Sequence, residues 1–173
     1  FSATGNGSPR DRNTINWVIP DFGIGSGGHL NIFRFILHLE RNGFKCTIAI
    51  VNGTQYSSAS HARDIIRAHF FPLQAEVVIG RENLPPAWIT VATEWRTAYA
   101  VRDFLSTVHK CYFVQDFEPS FFSPGSENAF AEQTYRFGFI GIAFATRIVD
   151  SWGAYKSSLL FTGLILTGIT GWA

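Results

Sequence analysis

The chemistry of this chain has to be sought first in a glycine-rich run, Gly23-Ile24-Gly25-Ser26-Gly27-Gly28, and in two acids near the middle, Asp116 and Glu118. The glycine run fits G-x-G-x-x-G. A dinucleotide-binding loop of that form needs its first glycine close behind a strand, and an acid at the end of the next strand for the ribose hydroxyl. Here Pro20-Asp21-Phe22 intervene, and the next apolar segment ends Ile50-Val51-Asn52-Gly53 without an acid, which argues against an NAD-dependent oxidoreductase. A P-loop needs Lys and then Ser or Thr after the last glycine; His29 and Leu30 stand there. The remaining readings need less. A glycine-rich turn entering a helix presents bare N–H groups and a positive dipole end, which suit a phosphate or the close approach of a sugar. A loop whose glycines only let the chain turn fits the same residues.

Other side chains can be placed around these. His29, directly behind the glycines, can hydrogen-bond a sugar hydroxyl or a phosphate, or face solvent. Arg34 is a ligand candidate or a surface residue, and Asp21 a ligand candidate or a turn former. Gln115-Asp116-Phe117-Glu118 follows an apolar segment; Asp116 is a candidate base or a loop-capping acid, and Asp116-Phe117-Glu118 mimics a D-x-D metal motif. Trp95 offers a flat face for a sugar, and Glu94 suits a helix N-terminus. Cys46 and Cys111 sit in apolar runs without zinc-finger spacing and read as buried free thiols.

Those residues must be held by elements. The chain has 173 residues, enough for one domain that buries roughly 70% of its unfolded surface. Hydrophobic residues make up 46%, which excludes a disordered protein, and a net charge of +1 gives no support for a nucleic-acid partner. Residues 1–14 read as a flexible lead-in with no apolar core of the signal-peptide kind. Residues 15–19 read as a strand, 29–42 as a helix, 44–51 as a strand and 59–70 as a helix with Ala62, Ile65, Ile66 and His69 inward. Strands follow at 76–79 and 88–92. A helix follows at 94–107 with Ala98, Val101 and Leu105 inward, then a strand at 110–115. A helix at 127–136 is capped by Ser126, and the last strand is 139–144. Strands alternating with helices predict an α/β domain with a largely parallel sheet and helices on both faces. Ligands then bind at the carboxyl ends of the strands, in the loops after Ile19, Ala92 and Gln115. Residues 144–173 form an atypical apolar tail. Its last 17 residues carry no charge but include Gly163, Gly168 and Gly171, short of a ~20-residue membrane span.

NWVIPDFGIGSGGHLNIFRFILHLERNGFKCTI together with YFVQDFEPSFFSPGSENAFAEQTYRFGF resembles the amino-terminal domain of GT-B glycosyltransferases of the family 4 type, over about residues 15–143. Within them it is similar to bacterial surface-polysaccharide rhamnosyltransferases of the S-layer glycan kind. The resemblance implies a Rossmann-like first domain on the acceptor side of a cleft, facing a second domain that binds the nucleotide sugar. It implies no cofactor and no metal; the donor is a substrate, such as dTDP-rhamnose. The partners implied are a glycan acceptor, lipid-linked in many such systems, and a carboxyl-terminal domain missing here; the location implied is cytoplasmic, or peripheral at the inner face of the membrane. By resemblance Gly25, Ser26, Gly27 and Gly28, with His29 behind them, approach the donor sugar and its diphosphate. Where many family members carry His-Asp, this chain has Gln115-Asp116, and Gln cannot act as a base. In an inverting transfer Asp116 would take the acceptor proton; in a retaining one the leaving phosphate would. Gln115, Glu118, Asp21, Trp95 and Arg34 are the substrate-binding candidates. With no Met anywhere and an unfamiliar tail, the sequence reads as a fragment of such an enzyme. A non-catalytic glycan- or nucleotide-binding domain is the alternative.

Overall fold

Six strands and four helices alternate along the chain in a computed structural model that describes residues 11–143 and the backbone of Leu159–Leu160. The readings for residues 1–10 and for the rest of the apolar tail lie outside the described residues. The strands are β1 (Thr14–Ile19), β2 (Lys45–Ile50), β3 (Glu76–Ile79), β4 (Ala87–Ala92), β5 (Thr107–Val114) and β6 (Ile140–Ala143). The helices are α1 (Gly27–Arg41), α2 (Ala59–His69), α3 (Trp95–Asp103) and α4 (Ser126–Thr134). A two-residue strand, β7 (Leu159–Leu160), pairs parallel with β6. All strand pairs are parallel, in the order β3-β2-β1-β4-β5-β6-β7. This is the α/β, Rossmann-like fold expected.

The order follows from short right-handed crossovers. β1 leads through α1 to β2 on one side and β2 through α2 to β3, after which the chain returns to place β4 on the other side of β1. The strand order therefore reverses between β1 and β4. Along each buried strand, alternate side chains feed opposite faces. Trp17 and Ile19 join one core with Ile32, Phe33 and Ile36 of α1. Val18 joins the other with Ala98 and Val101 of α3. Trp17 meets Phe113 edge to face at 5.5 Å across the first core. Cys46 and Cys111 are buried and unpaired, and burial pushes their thiols up to about 12 and about 11. They are inert at neutral pH.

Several expected boundaries shift, for local reasons. α1 starts at Gly27, because Ser26 is the N-cap and its hydroxyl accepts from His29 N. α3 stops at Asp103, since Phe104 is already extended at ψ 118°. Leu105, expected inward, is consequently 77% exposed. α4 takes Ser126 as its first residue and Gly125 as its cap position, so Ser126 is not the cap expected. His69 is exposed at the end of α2, whose buried residues are Ala62 and Ile66.

Candidate functional site

The loops after β1, β4 and β5 meet over the point where the strand order reverses, and a cavity of about 260 Å³ opens there. Pro20, Ser26, Gly28 and His29 form one wall, Thr93 to Arg96 a second, and Gln115, Asp116 and Glu118 a third. A parallel sheet places ligands at such a reversal because the neighbouring crossovers run to opposite faces and leave a crevice. Phe121 and Phe122 close the rim, with Phe121 63% exposed.

The first wall is the start of α1. Its first turn contains no acid. Leu30 N is bonded to Ser26 O, so the N–H groups of Gly27 and Gly28 precede the first intrahelical donor. Gly25 has φ +85°, which a residue with a Cβ adopts only with strain. A Cβ on Gly28 would lie 3.4 Å from Gln115 Nε2, so a side chain there would enter the cavity against Gln115. His29 Nδ1 lies 2.9 Å from Ser26 Oγ, while Nε2 is buried without a hydrogen-bond partner. Burial lowers the His29 pKa against the opposing pull of the Pro20 carbonyl. At neutral pH it is therefore an uncharged imidazole, suited to a hydroxyl rather than to neutralising a phosphate.

The second wall is the start of α3. Thr93 ties β4 to β1, its hydroxyl donating to Val18 O at 2.8 Å. Glu94 is the N-cap, and its N–H donates to Thr97 Oγ1 at 3.0 Å. Burial raises the Glu94 pKa, partly offset by the Arg96 guanidinium 3.6 Å away. Trp95 is buried with its Nε1 unpartnered, and Arg96 stacks over its ring at 4.2 Å.

The third wall follows β5. Asn31 of α1 donates from Nδ2 to Gln115 Oε1 at 3.4 Å, which orients the amide so that Nε2 faces Gly28. Asp116 is exposed, and its Oδ1 accepts from the next residue's amide, Phe117 N, at 2.7 Å. Glu118 is 9% exposed, and its Oε2 accepts from Trp95 N at 2.7 Å. Burial, reinforced by the Glu94 carboxylate, pushes the Glu118 pKa up to about 7.

Of the sequence candidates, Ser26, Gly28, His29, Trp95, Gln115, Asp116 and Glu118 are therefore gathered around one cavity. Gly25 and Gly27 are exposed outside its wall, and a Cβ on either would meet nothing within 4 Å. Arg34 is exposed on α1 and away from the cavity. Asp21 turns to the loop after β2, where it accepts from Gly53 N at 2.8 Å and Thr54 Oγ1 at 3.1 Å. It anchors a neighbouring loop at the position where a dinucleotide fold would offer its ribose acid. Asp21→Ala should lower unfolding free energy by about 1–2 kcal/mol by orphaning the Gly53 amide; an unchanged urea midpoint would refute that anchoring. The sequence reading passed over Asn31 and Thr93. Asn31 sits on α1 at Ser26 + 5, and only the packing of α1 over the sheet brings it to Gln115 at the end of β5.

Among the described residues no group of three or more His, Cys, Asp or Glu could hold a metal ion, and no helix is long and apolar enough to cross a membrane. No protein-family model matches the chain. The chain is 33% identical over 134 residues to the O-antigen biosynthesis protein RfbC of Myxococcus xanthus, a match that takes in 75% of this chain and 10% of that protein. The glycine turn, the two helix starts and the acids behind β5 thus belong to a chain that spans about a tenth of the length of the curated relative it matches.

Proposed function

We propose that this chain is the acceptor-side domain of a GT-B glycosyltransferase of polysaccharide biosynthesis, transferring a deoxyhexose of the rhamnose type from a nucleotide donor to a glycan hydroxyl. The observation that carries the reading is the cavity at the β1/β4 reversal. One side is an acid-free helix start with bare amides, and the other holds paired carboxylates. The first suits the diphosphate end of a donor; the second, with the Gln115 amide and His29, suits sugar hydroxyls. The similarity to an O-antigen biosynthesis protein supports the same class of work. In this reading a second Rossmann-like domain closes over the cavity and carries most of the nucleotide contacts. The acceptor is lipid-linked, which places the protein at the inner face of the membrane, and no metal takes part.

The test is a titration of the chain with dTDP-rhamnose, followed through backbone amide shifts. Shifts should concentrate at Gly27, Gly28, Thr93 and Gln115. Gly28→Val should weaken binding at least tenfold while the fold stays within about 1 kcal/mol, since position 28 is in the first helical turn. Undiminished binding by Gly28→Val would sink the loop assignment. Binding of methyl rhamnoside without any binding of the nucleotide sugar would favour a saccharide-binding domain that does not itself meet the donor.

A further inference from the structure

Phe121 and Phe122 are adjacent in the chain but differently placed. Phe122 is half-buried and packs on the Trp95 ring edge to face at 5.9 Å. Phe121 stands 63% exposed at the mouth of the cavity. Its backbone is held all the same. The 3₁₀ turn Glu118–Phe121 starts from buried Glu118 and Pro119, and the proline ring fixes its own φ. Ser120 N donates to Phe117 O at 3.0 Å, and Phe122 N to Pro119 O at 3.2 Å. From α4, Asn128 Nδ2 donates to Pro119 O at 2.8 Å. A braced turn thus presents a large apolar ring to water, where it contributes little to folding. Trp95, expected from the sequence to offer its flat face to a sugar, is 9% exposed, and Arg96 covers its ring at 4.2 Å. The aromatic ring left open at this mouth is Phe121.

Resting on the glycosyl-transfer reading above, we propose that Phe121 is a stacking platform for the second sugar of the acceptor glycan. The cavity measures about 260 Å³, below the ~300–1,000 Å³ of pockets that enclose a drug-sized ligand. That is room for one sugar ring, so the next sugar of a glycan has to lie across the mouth, where Phe121 stands. A pyranose is amphipathic, with hydroxyls around its edge and C–H bonds gathered on a face. The hydroxyls of the first sugar find Gln115, Asp116 and the uncharged His29. The C–H face of the second finds the phenyl ring, whose negative π face attracts the slightly positive hydrogens as both surfaces leave water. A 6-deoxyhexose, with a methyl in place of a hydroxymethyl group, widens that apolar face. The platform carries no polar atom, so it selects the shape of a sugar face and not a pattern of hydroxyls. A lipid surface fits this mouth less well. Interfacial binding needs a broad apolar face with attraction to anionic headgroups. Here Phe121 is the one exposed large apolar residue of the lining, and Glu94, Asp116 and Glu118 stand against the single cation Arg96.

The test measures binding alone and needs no transfer activity. Methyl rhamnoside and the methyl glycoside of rhamnosyl-rhamnose are titrated against isotopically labelled chain and followed through backbone amide shifts. The disaccharide should bind about tenfold or more tighter than the monosaccharide. It should also add shifts at Ser120, Phe121 and Phe122 that the monosaccharide does not cause. Phe121→Ala should remove that gain while the monosaccharide Kd stays within about twofold. Its Tm should stay within about 2 °C, because an exposed side chain contributes little to stability. Phe121→Tyr, which keeps the ring, should keep the gain. A disaccharide affinity that Phe121→Ala leaves unchanged, or a loss that falls equally on both glycosides, overturns the proposal. So does a chain that dimerises and becomes monomeric in Phe121→Ala, because a second copy then covers the ring. Binding of dTDP-rhamnose with no binding of either glycoside overturns this proposal alone. Failure of all three ligands to bind takes the glycosyl-transfer reading with it.

Discussion

Replacing Phe22 by alanine should lower the unfolding free energy by about 3–5 kcal/mol, the range for a buried aromatic ring whose space cannot fully collapse. Phe22 lies inside the turn between β1 and α1, where a surface loop would be expected, yet it is 3% exposed. Its ring stacks on Tyr56 at 5.0 Å and meets Phe33 and Phe70 edge to face at 5.4 and 5.9 Å. The backbone is tied at the same point: Phe22 N donates to Tyr56 Oη at 2.9 Å, and Tyr56 Oη donates to Phe22 O at 2.7 Å. His29 packs on the ring at 5.9 Å, so the ring also backs the cavity wall. For a domain of this size the loss corresponds to a fall in Tm of roughly 10 °C. Thermal or urea unfolding followed by tryptophan emission reads it directly. A loss below about 1 kcal/mol would mean that this ring does not anchor the turn, and the rigidity of the α1 wall would need another source.

Above pH 7, Glu118→Gln should be more stable than the unmutated chain. The Glu118 pKa is raised to about 7 in the folded protein, whereas an unfolded Glu titrates near ~4.3. The folded state thus keeps a proton that the unfolded state has already released. That stabilisation is fully present below the unfolded value and disappears as pH rises through the folded one, a total of about 3 kcal/mol. Glu94, also raised by burial, acts in the same direction. His29 opposes them: its lowered pKa makes stability rise as the imidazole loses its proton in the unfolded chain. The difference between the two proteins removes the His29 contribution. Urea titrations at pH 5 and pH 8 should therefore show the unmutated chain losing about 3 kcal/mol relative to Glu118→Gln. Parallel stabilities across that range would show Glu118 to be solvated and ionised throughout. A site residue that weakens its own fold when charged is the expected signature of a group kept for chemistry.

Much of this molecule was legible along the chain because its signals are local. Apolar runs such as Thr14–Ile19 and Lys45–Ile50, separated by a glycine turn and an amphipathic stretch, carry the periods of strand and helix. Their alternation dictates a parallel sheet, and a parallel sheet dictates which loops converge. Hence Gln115, Asp116 and Glu118 could be tied in advance to the glycine turn, about ninety residues earlier in the chain, and they line one cavity with Ser26, Gly28 and His29.

What only the tertiary structure decided is which side chains face that cavity and in which charge state. Asp21 and Arg34 sit close in sequence to the turn, yet one bonds the loop after β2 and the other lies in solvent. Gly27 belongs to a helical turn rather than to a loop, because Ser26 caps two residues earlier than periodicity suggests. Asp116 and Glu118 carry the same group two residues apart, and nothing in the sequence shows that one is exposed and the other buried. The distinction comes from Trp95, Tyr112 and Tyr135, brought from α3, β5 and the end of α4 to surround Glu118. Secondary structure answers to spacing within a few residues, whereas burial, and with it the cost of a charge, is set by neighbours that only the completed sheet assembles.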